Sequence, residues 1–262
     1  MTNMMAKSTV LCMGLIIAFL VCGNAWSQEV AIYYDPAKGT AWIDPSKMAP
    51  AVEAALAKKN IDGKIVKAQE LETYMEANAE GIVVMTTGMA PGEIFQNKGD
   101  QDLVHTWLFD GGVMLWTGDW PFYYWDVAAN CPGAAGEASV FGVTVTQSAD
   151  GTAMEPTDLG LELIPSIEAH LSSRPVSLAL LESNRFEYES YADNGSLADP
   201  IAFQAPKMEG WFVNIHTWPD AGALDQAALE MAELLQNKFL VDRAVESRGK
   251  LATTWGSIRI SH

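Results

Sequence analysis

Apolar residues in the first half of the chain come in short unbroken runs separated by segments with helical spacing. "EVAIYYD" is an apolar run closed by an acid and a proline, and it predicts a buried strand over Val30 to Tyr34. "DPSKMAPAVEAALAKKN" follows, with Met48, Val52 and Ala55 or Leu56 recurring at helical spacing. Asp44 with Pro45 behind it marks a helix start, although Pro50 offers a second one. "DGKIVKA" reads as a turn and a strand, "QELETYMEAN" as a helix and "GIVVMTTG" as a third strand. "DQDLVHTWLFDGG" predicts a helix closed by Gly111 and Gly112, and "VMLWTGD" a fourth strand. Continuous apolar strands alternating with helices indicate a mostly parallel sheet with helices on both faces, a flavodoxin-like α/β architecture.

The second half is less regular. "NCPGAAGEAS" (Asn130 to Ser139) reads as a loop and "VFGVTVTQ" as a strand. "GLELIPSIEAHLSSRP" stays open between loop and short helix. "VSLALLES", "FEYESYA", "PIAFQA" and "GWFVNIHTW" are expected as strands, an additional strand-rich segment. In "ALDQAALEMAELLQNKFL", Leu224, Ala228, Met231, Leu235 and Phe239 form one apolar helix face. Val241 to His262 has weak periodicity and is expected to be a loosely attached tail.

The N-terminal pattern differs from all of this. Lys7 precedes the apolar run Val10 to Val21, and Ala25 and Ser27 follow with cleavage-site spacing. That predicts a secretory signal over 1–27, an α/β domain over 28–240 and a tail over 241–262. The run is too short to span a membrane, and no later run does so. The expected location is periplasmic or extracellular. Val21 ahead of Cys22 disfavours a lipoprotein. Removal of 1–27 would leave Cys131 as the one cysteine, so stability must come from packing and not from an internal disulfide.

The 33 acidic and 16 basic residues give a net charge of −17. This argues against nucleic acid and anionic membranes as partners. The four histidines show no metal-ligand spacing, and no phosphate loop or dinucleotide fingerprint occurs. No metal and no cofactor is expected.

Candidate chemistry lies where the strands end, because ligands of open parallel sheets bind beyond the carboxyl ends. Thr87 and Gly88 end the third strand, and Thr117, Gly118, Asp119, Trp120 and Tyr123 follow the fourth. His216 and Trp218 end a late strand. The fourth strand runs into "WTGDWPFYYW", whose six aromatics could pack the sheet edge or stack on a ligand. Trp120 and Tyr123 are the rings expected at the surface.

"LWTGDW" and "NIHTWPD", placed on this alternation, resemble the class I glutamine amidotransferase-like superfamily, especially its trehalose-utilisation-type relatives, over about Val30 to Leu240. The resemblance puts "LWTGDW" at the nucleophile elbow and His216 at the catalytic histidine position. The elbow has no cysteine, so the resemblance implies the fold without glutamine amidotransferase activity. The leading expectation is a secreted, non-catalytic binding or interaction domain for a carbohydrate, another small polar molecule or a protein. Two alternatives stand beside it. One is a hydrolase using Asp119 or Thr117 with His216. The other is a structural module of an envelope assembly.

Overall fold

The computed structural model describes residues 29–40, 42–215 and 223–241. The signal-like segment, His216, Trp218 and nearly all of the tail lie outside them. In the first half, the elements are β1 (Val30–Tyr33), α1 (Pro45–Lys58), β2 (Gly63–Val66), α2 (Ala68–Ala77), β3 (Ile82–Met85), α3 (Leu103–Phe109) and β4 (Val113–Trp116). The expected alternation is present throughout. Asp44 caps α1 by accepting from the Ser46 amide, and Pro45 opens the helix. Pro50 therefore sits inside α1, on an exposed position.

The second half contains α4 (Ala134–Phe141), β5 (Thr152–Pro156), α5 (Asp158–Leu163), β6 (His170–Ser172), β7 (Val176–Ser177) and α6 (Leu178–Ser183). These are followed by β8 (Glu187–Ser190), β9 (Ala192–Asp193), β10 (Leu197–Ala198), β11 (Ile201–Gln204), β12 (Trp211–Asn214) and α7 (Leu224–Leu234). A π-helical turn, Leu235–Phe239, continues α7.

Two expectations are corrected here. The small-residue segment after Cys131 is not a loop throughout, because Ala134 begins α4. Gly136 is small so that the helix can approach its neighbour: a Cβ there would lie 1.9 Å from the Phe122 carbonyl oxygen. The helix consumes Val140 and Phe141, and Gly142 ends it at φ +82°, so "VFGVTVTQ" forms no strand apart from an isolated bridge at Thr146. "VSLALLES" is a two-residue strand that turns into α6, because Ser177 caps the helix by accepting from the Leu180 amide.

The main sheet has the order β2-β1-β3-β4-β12-β11-β8. The pairs β2/β1, β1/β3, β3/β4 and β4/β12 are parallel, and β11 runs antiparallel to both β12 and β8. A smaller sheet, β6-β5-β9-β10-β7, is antiparallel. This is the expected mixed α/β class with a strand-rich second half. The chain reverses its direction of sheet growth between β1 and β3, the switch point at which such sheets open a crevice.

Strand alternation divides the core in two. Ile32, Val84 and Leu115 face α1 and α7, whereas Tyr33, Met85 and Trp116 face α2, α3 and α4. The predicted apolar stripe of the last helix, from Leu224 to Phe239, lies in the first of these layers. Among the described residues, no helix is long and apolar enough to cross a membrane.

Candidate functional site

The carboxyl ends of β1, β3, β4 and β12 lie side by side, and three loops close over the first three. Thr86 and Thr87 follow β3 and are fully buried. The Thr86 hydroxyl donates to the Tyr33 carbonyl at 2.6 Å, and the Thr87 hydroxyl to the Met89 carbonyl at 2.6 Å. Gly88 (φ +62°) and Gly118 (φ +104°) meet across the gap between β3 and β4. A Cβ on Gly118 would lie 2.6 Å from Ile43 and 3.1 Å from the Gly88 nitrogen. Glycine is thus required twice over, by backbone conformation and by space.

Thr117 is fully buried and its amide donates to the Met85 carbonyl. Asp119 is buried as well. It accepts from the Trp120 amide at 2.7 Å and lies 3.5 Å from the Arg174 Nε, and the Trp42 side chain also hydrogen-bonds to it. Burial raises the Asp119 carboxyl above its ordinary value, against the opposing Trp120 amide, Arg174 and Trp42. Arg174 also donates to Asp150 at 2.6 Å and to the Ser173 carbonyl. Asn214, at the end of β12, donates to the Arg174 carbonyl.

The aromatic crowd divides into packing and rim. Trp116 and Phe122 are fully buried, with ring centroids 4.8 Å apart. Phe122 also packs against Phe95, Phe141 and Phe212. Its backbone sits at φ +58°, an uncommon conformation for a bulky residue, held by this packing. Trp120 and Tyr123 are half-buried, with centroids 5.7 Å apart, and are not the exposed rings expected. The Trp120 indole donates to Glu137 at 2.8 Å. The exposed ring at this end of the sheet is Trp42, at 65% exposure.

A polar knot ties the three loops together. The Lys38 ammonium contacts both Glu93 carboxylate oxygens at 2.9 and 3.0 Å, and Asp126 at 2.7 Å. Asp126 also accepts from the Gly92 amide. Burial lowers the Lys38 pKa, but the bonds to Asp126 and Glu93 outweigh it and leave the pKa raised. Beside this knot the β1–α1 loop encloses a shallow hollow of about 430 Å³, lined by residues including Tyr34, Thr40, Asp44 and Ser46.

Thr87, Gly88, Thr117, Gly118, Asp119, Trp120 and Tyr123 thus gather at one end of the sheet. His216 and Trp218 lie outside the described residues. Glu137, Arg174 and Trp42 were not anticipated. Glu137 is one acid in a run of small residues, Arg174 lies in a loop far along the chain, and Trp42 has no periodic signal. Among the described residues, no cluster of histidine, cysteine, aspartate or glutamate could hold a metal ion.

No family model matches the chain, and no curated protein matches it. Similar solved structures include a cytoplasmic protein from Salmonella typhimurium LT2. It has 12% identity and a TM-score of 0.46, with 79% of this chain and 97% of that one covered. A ThuA-like protein from Bacteroides uniformis has 10% identity and a TM-score of 0.44, over 82% and 92%. A protein described as part of a GMP synthase, from Thermoplasma acidophilum, has 12% identity and a TM-score of 0.36, over 84% and 97%.

Proposed function

We propose that the chain is an exported binding or interaction domain, not an enzyme, and that its ligand is a carbohydrate or another small polar molecule. One observation carries this reading: the polar groups at the strand ends are already committed to internal partners. Thr87 bonds backbone, Asp119 is held by Trp120 and Arg174, and Lys38 is held by two carboxylates. A general base or nucleophile needs a positioned partner and access to substrate. Asp119 and Thr117 are buried, and their geometry suits anchors. The surface left for a ligand is aromatic: the exposed Trp42 ring and the half-buried Trp120 and Tyr123 rings. Export rests on the apolar run from Val10 to Val21. Its check is an intact mass showing a start near Gln28 after expression in a bacterial host.

The binding reading is tested by titrating the purified chain with soluble oligosaccharides and polar metabolites in a calorimeter. Loss of one stacking ring should weaken binding about 5- to 150-fold, by analogy with base stacking. Trp42→Ala and Trp120→Ala should each do so with the fold retained. Trp116→Ala should instead destabilise the core by about 3–5 kcal/mol. No binding across the panel, or ammonia released from glutamine above a blank, overturns the reading.

A further inference from the structure

The turn between β9 and β10 carries an Asn-Gly step, Asn194–Gly195, that takes no part in the core or in the candidate site. Asn194, Gly195 and Ser196 are all exposed. Asn194 and Leu197 close the hairpin, the Asn194 amide donating to the Leu197 carbonyl at 3.1 Å. The Asn194 side chain folds forward over the turn. Its Oδ1 accepts from the Ser196 amide at 3.1 Å and from the Leu197 amide at 2.9 Å. The first of these bonds closes an Asx turn around the Gly195 peptide, which holds the Asn194 Cγ over the Gly195 nitrogen. That nitrogen donates to the Asp193 Oδ1 at 3.0 Å, and the Ser190 hydroxyl donates to the other Asp193 oxygen at 2.8 Å. Gly195 sits at φ +82°, and a Cβ there would meet nothing within 4 Å, so the turn is open to water.

We propose that this turn is a self-modification site, at which Asn194 cyclises onto Gly195 and is converted to aspartate and isoaspartate. The inference does not depend on the binding reading above. Each role in an acyl transfer has an occupant. The Asn194 Cγ is the electrophile, and the Gly195 nitrogen is the nucleophile, already tethered beside it. The Asp193 carboxylate receives the Gly195 proton as the N–Cγ bond forms. Charge developing on Oδ1 is met by the Ser196 and Leu197 amides, which already point at it. The Cγ–Nδ2 bond then breaks, and Nδ2 leaves as ammonia with the proton that Asp193 took. The product is a succinimide. Water opens it at either carbonyl. One opening gives aspartate, and the other gives isoaspartate, in which the backbone passes through the former side chain.

Glycine makes the step accessible. A side chain at 195 would crowd the attacking nitrogen, and no other asparagine of the sequence precedes a glycine. The outcome bears on the small sheet. A neutral amide becomes a carboxylate next to Asp193, in a chain already at −17. Isoaspartate also lengthens the backbone between β9 and β10, which shifts Ser196 and Leu197. The Ser196 carbonyl accepts from the Leu178 amide at the start of α6, and Leu197 pairs with Ser177 on β7.

The experiment incubates the full chain at neutral pH in heavy-oxygen water over several weeks. Beside it stands a synthetic peptide, Tyr191 to Ala198, which has the same residues without the fold. Tryptic fragments are then separated and weighed. The fragment holding Asn194 should lose ammonia, take up heavy oxygen and split into aspartate and isoaspartate forms. Conversion should run roughly 10-fold faster in the folded chain than in the peptide, a small part of what full orientation can supply. Asp193→Asn keeps an acceptor oxygen for the Gly195 amide but removes the base, and should slow conversion by roughly 10-fold, below the usual gain from an enzyme's base. A folded chain that converts no faster than the peptide overturns the proposal. So does an unmoved rate in Asp193→Asn, or aspartate without isoaspartate, which means hydrolysis without the ring. If Asp193→Asn does not fold, the ratio of folded chain to peptide decides.

Discussion

Two buried glutamates lie on opposite faces of the main sheet, and their carboxyl pKa values shift in opposite directions. Glu137, under α4, is raised to about 7 by burial, because its partners are neutral donors. Glu233, on α7, is also buried, and burial raises it too. The Ser166 amide and the Lys59 ammonium at 3.2 Å outweigh that and leave it lowered. Burial alone therefore does not set the direction of a shift. The donors do: Ser166 comes first, and Lys59, brought to Glu233 by the close packing of α1 on α7, adds a cation that Glu137 lacks. Nothing comparable faces Glu137 among the described residues, so one face holds a settled charge and the other a conditional one.

The largest test removes the cation. Lys59→Met should destabilise the chain by about 1–3 kcal/mol at pH 8, because Glu233 then carries a buried charge without its counter-ion. Glu233 has a lowered folded-state pKa, so its contribution is present above its ordinary 4.5 and lost below it. The penalty should thus shrink in denaturant melts taken toward pH 4. A penalty equal at both pH values would show that Lys59 acts through packing alone.

Glu137→Gln should do the opposite. The folded chain holds the Glu137 proton up to about pH 7, whereas the unfolded chain loses it near 4.5. Stability from this group is full below that window, falls as the pH rises through it, and is flat above. The variant should therefore be about 1–3 kcal/mol more stable than the native chain at pH 8, with little difference at pH 4.5. Equal melts at pH 8 would erase the contrast between the two faces.

Trp120→Phe should cost about 1 kcal/mol, the usual net value of one hydrogen bond, and push Glu137 further up. A melt unchanged from native across pH 5 to 8 would count against the indole contact. Cys131→Ser gives the smallest effect. The thiol is free and exposed just before α4, so the change should stay within about 1 kcal/mol and leave both glutamates as they are.

The parallel half of the fold was legible because its strands are buried on both faces and so appear as unbroken apolar runs. Val30 to Tyr33 and Ile82 to Met85 are examples. The misread segments have mixed signals. Gly136 looks like a loop residue, yet it is small to let α4 touch the Phe122 backbone, a contact 14 residues away that no local pattern reveals. Leu178 to Ser183 is too short for helical periodicity to declare itself, and its Ser177 cap was the cue available. At the candidate site, strand ends located Thr87, Gly88 and Asp119, because topology alone puts them there. Exposure was harder to read: Trp42 and Trp120 have the same chemistry in sequence and each reaches a buried acid, and only packing decides that Trp42 stays exposed while Trp120 is half-buried.

The Lys38 knot has a consequence for how this protein can change over generations. Three loops, after β1, β3 and β4, each contribute one member: Lys38, Glu93 and Asp126. In α/β proteins such loops usually vary independently, and new specificities arise by lengthening one of them. Here an insertion that withdrew Lys38 would leave Glu93 and Asp126 facing each other without their cation, whereas losing either acid would leave Lys38 paired with the other. The loop after β1 is the constrained one, and the loops after β3 and β4 can diversify one at a time.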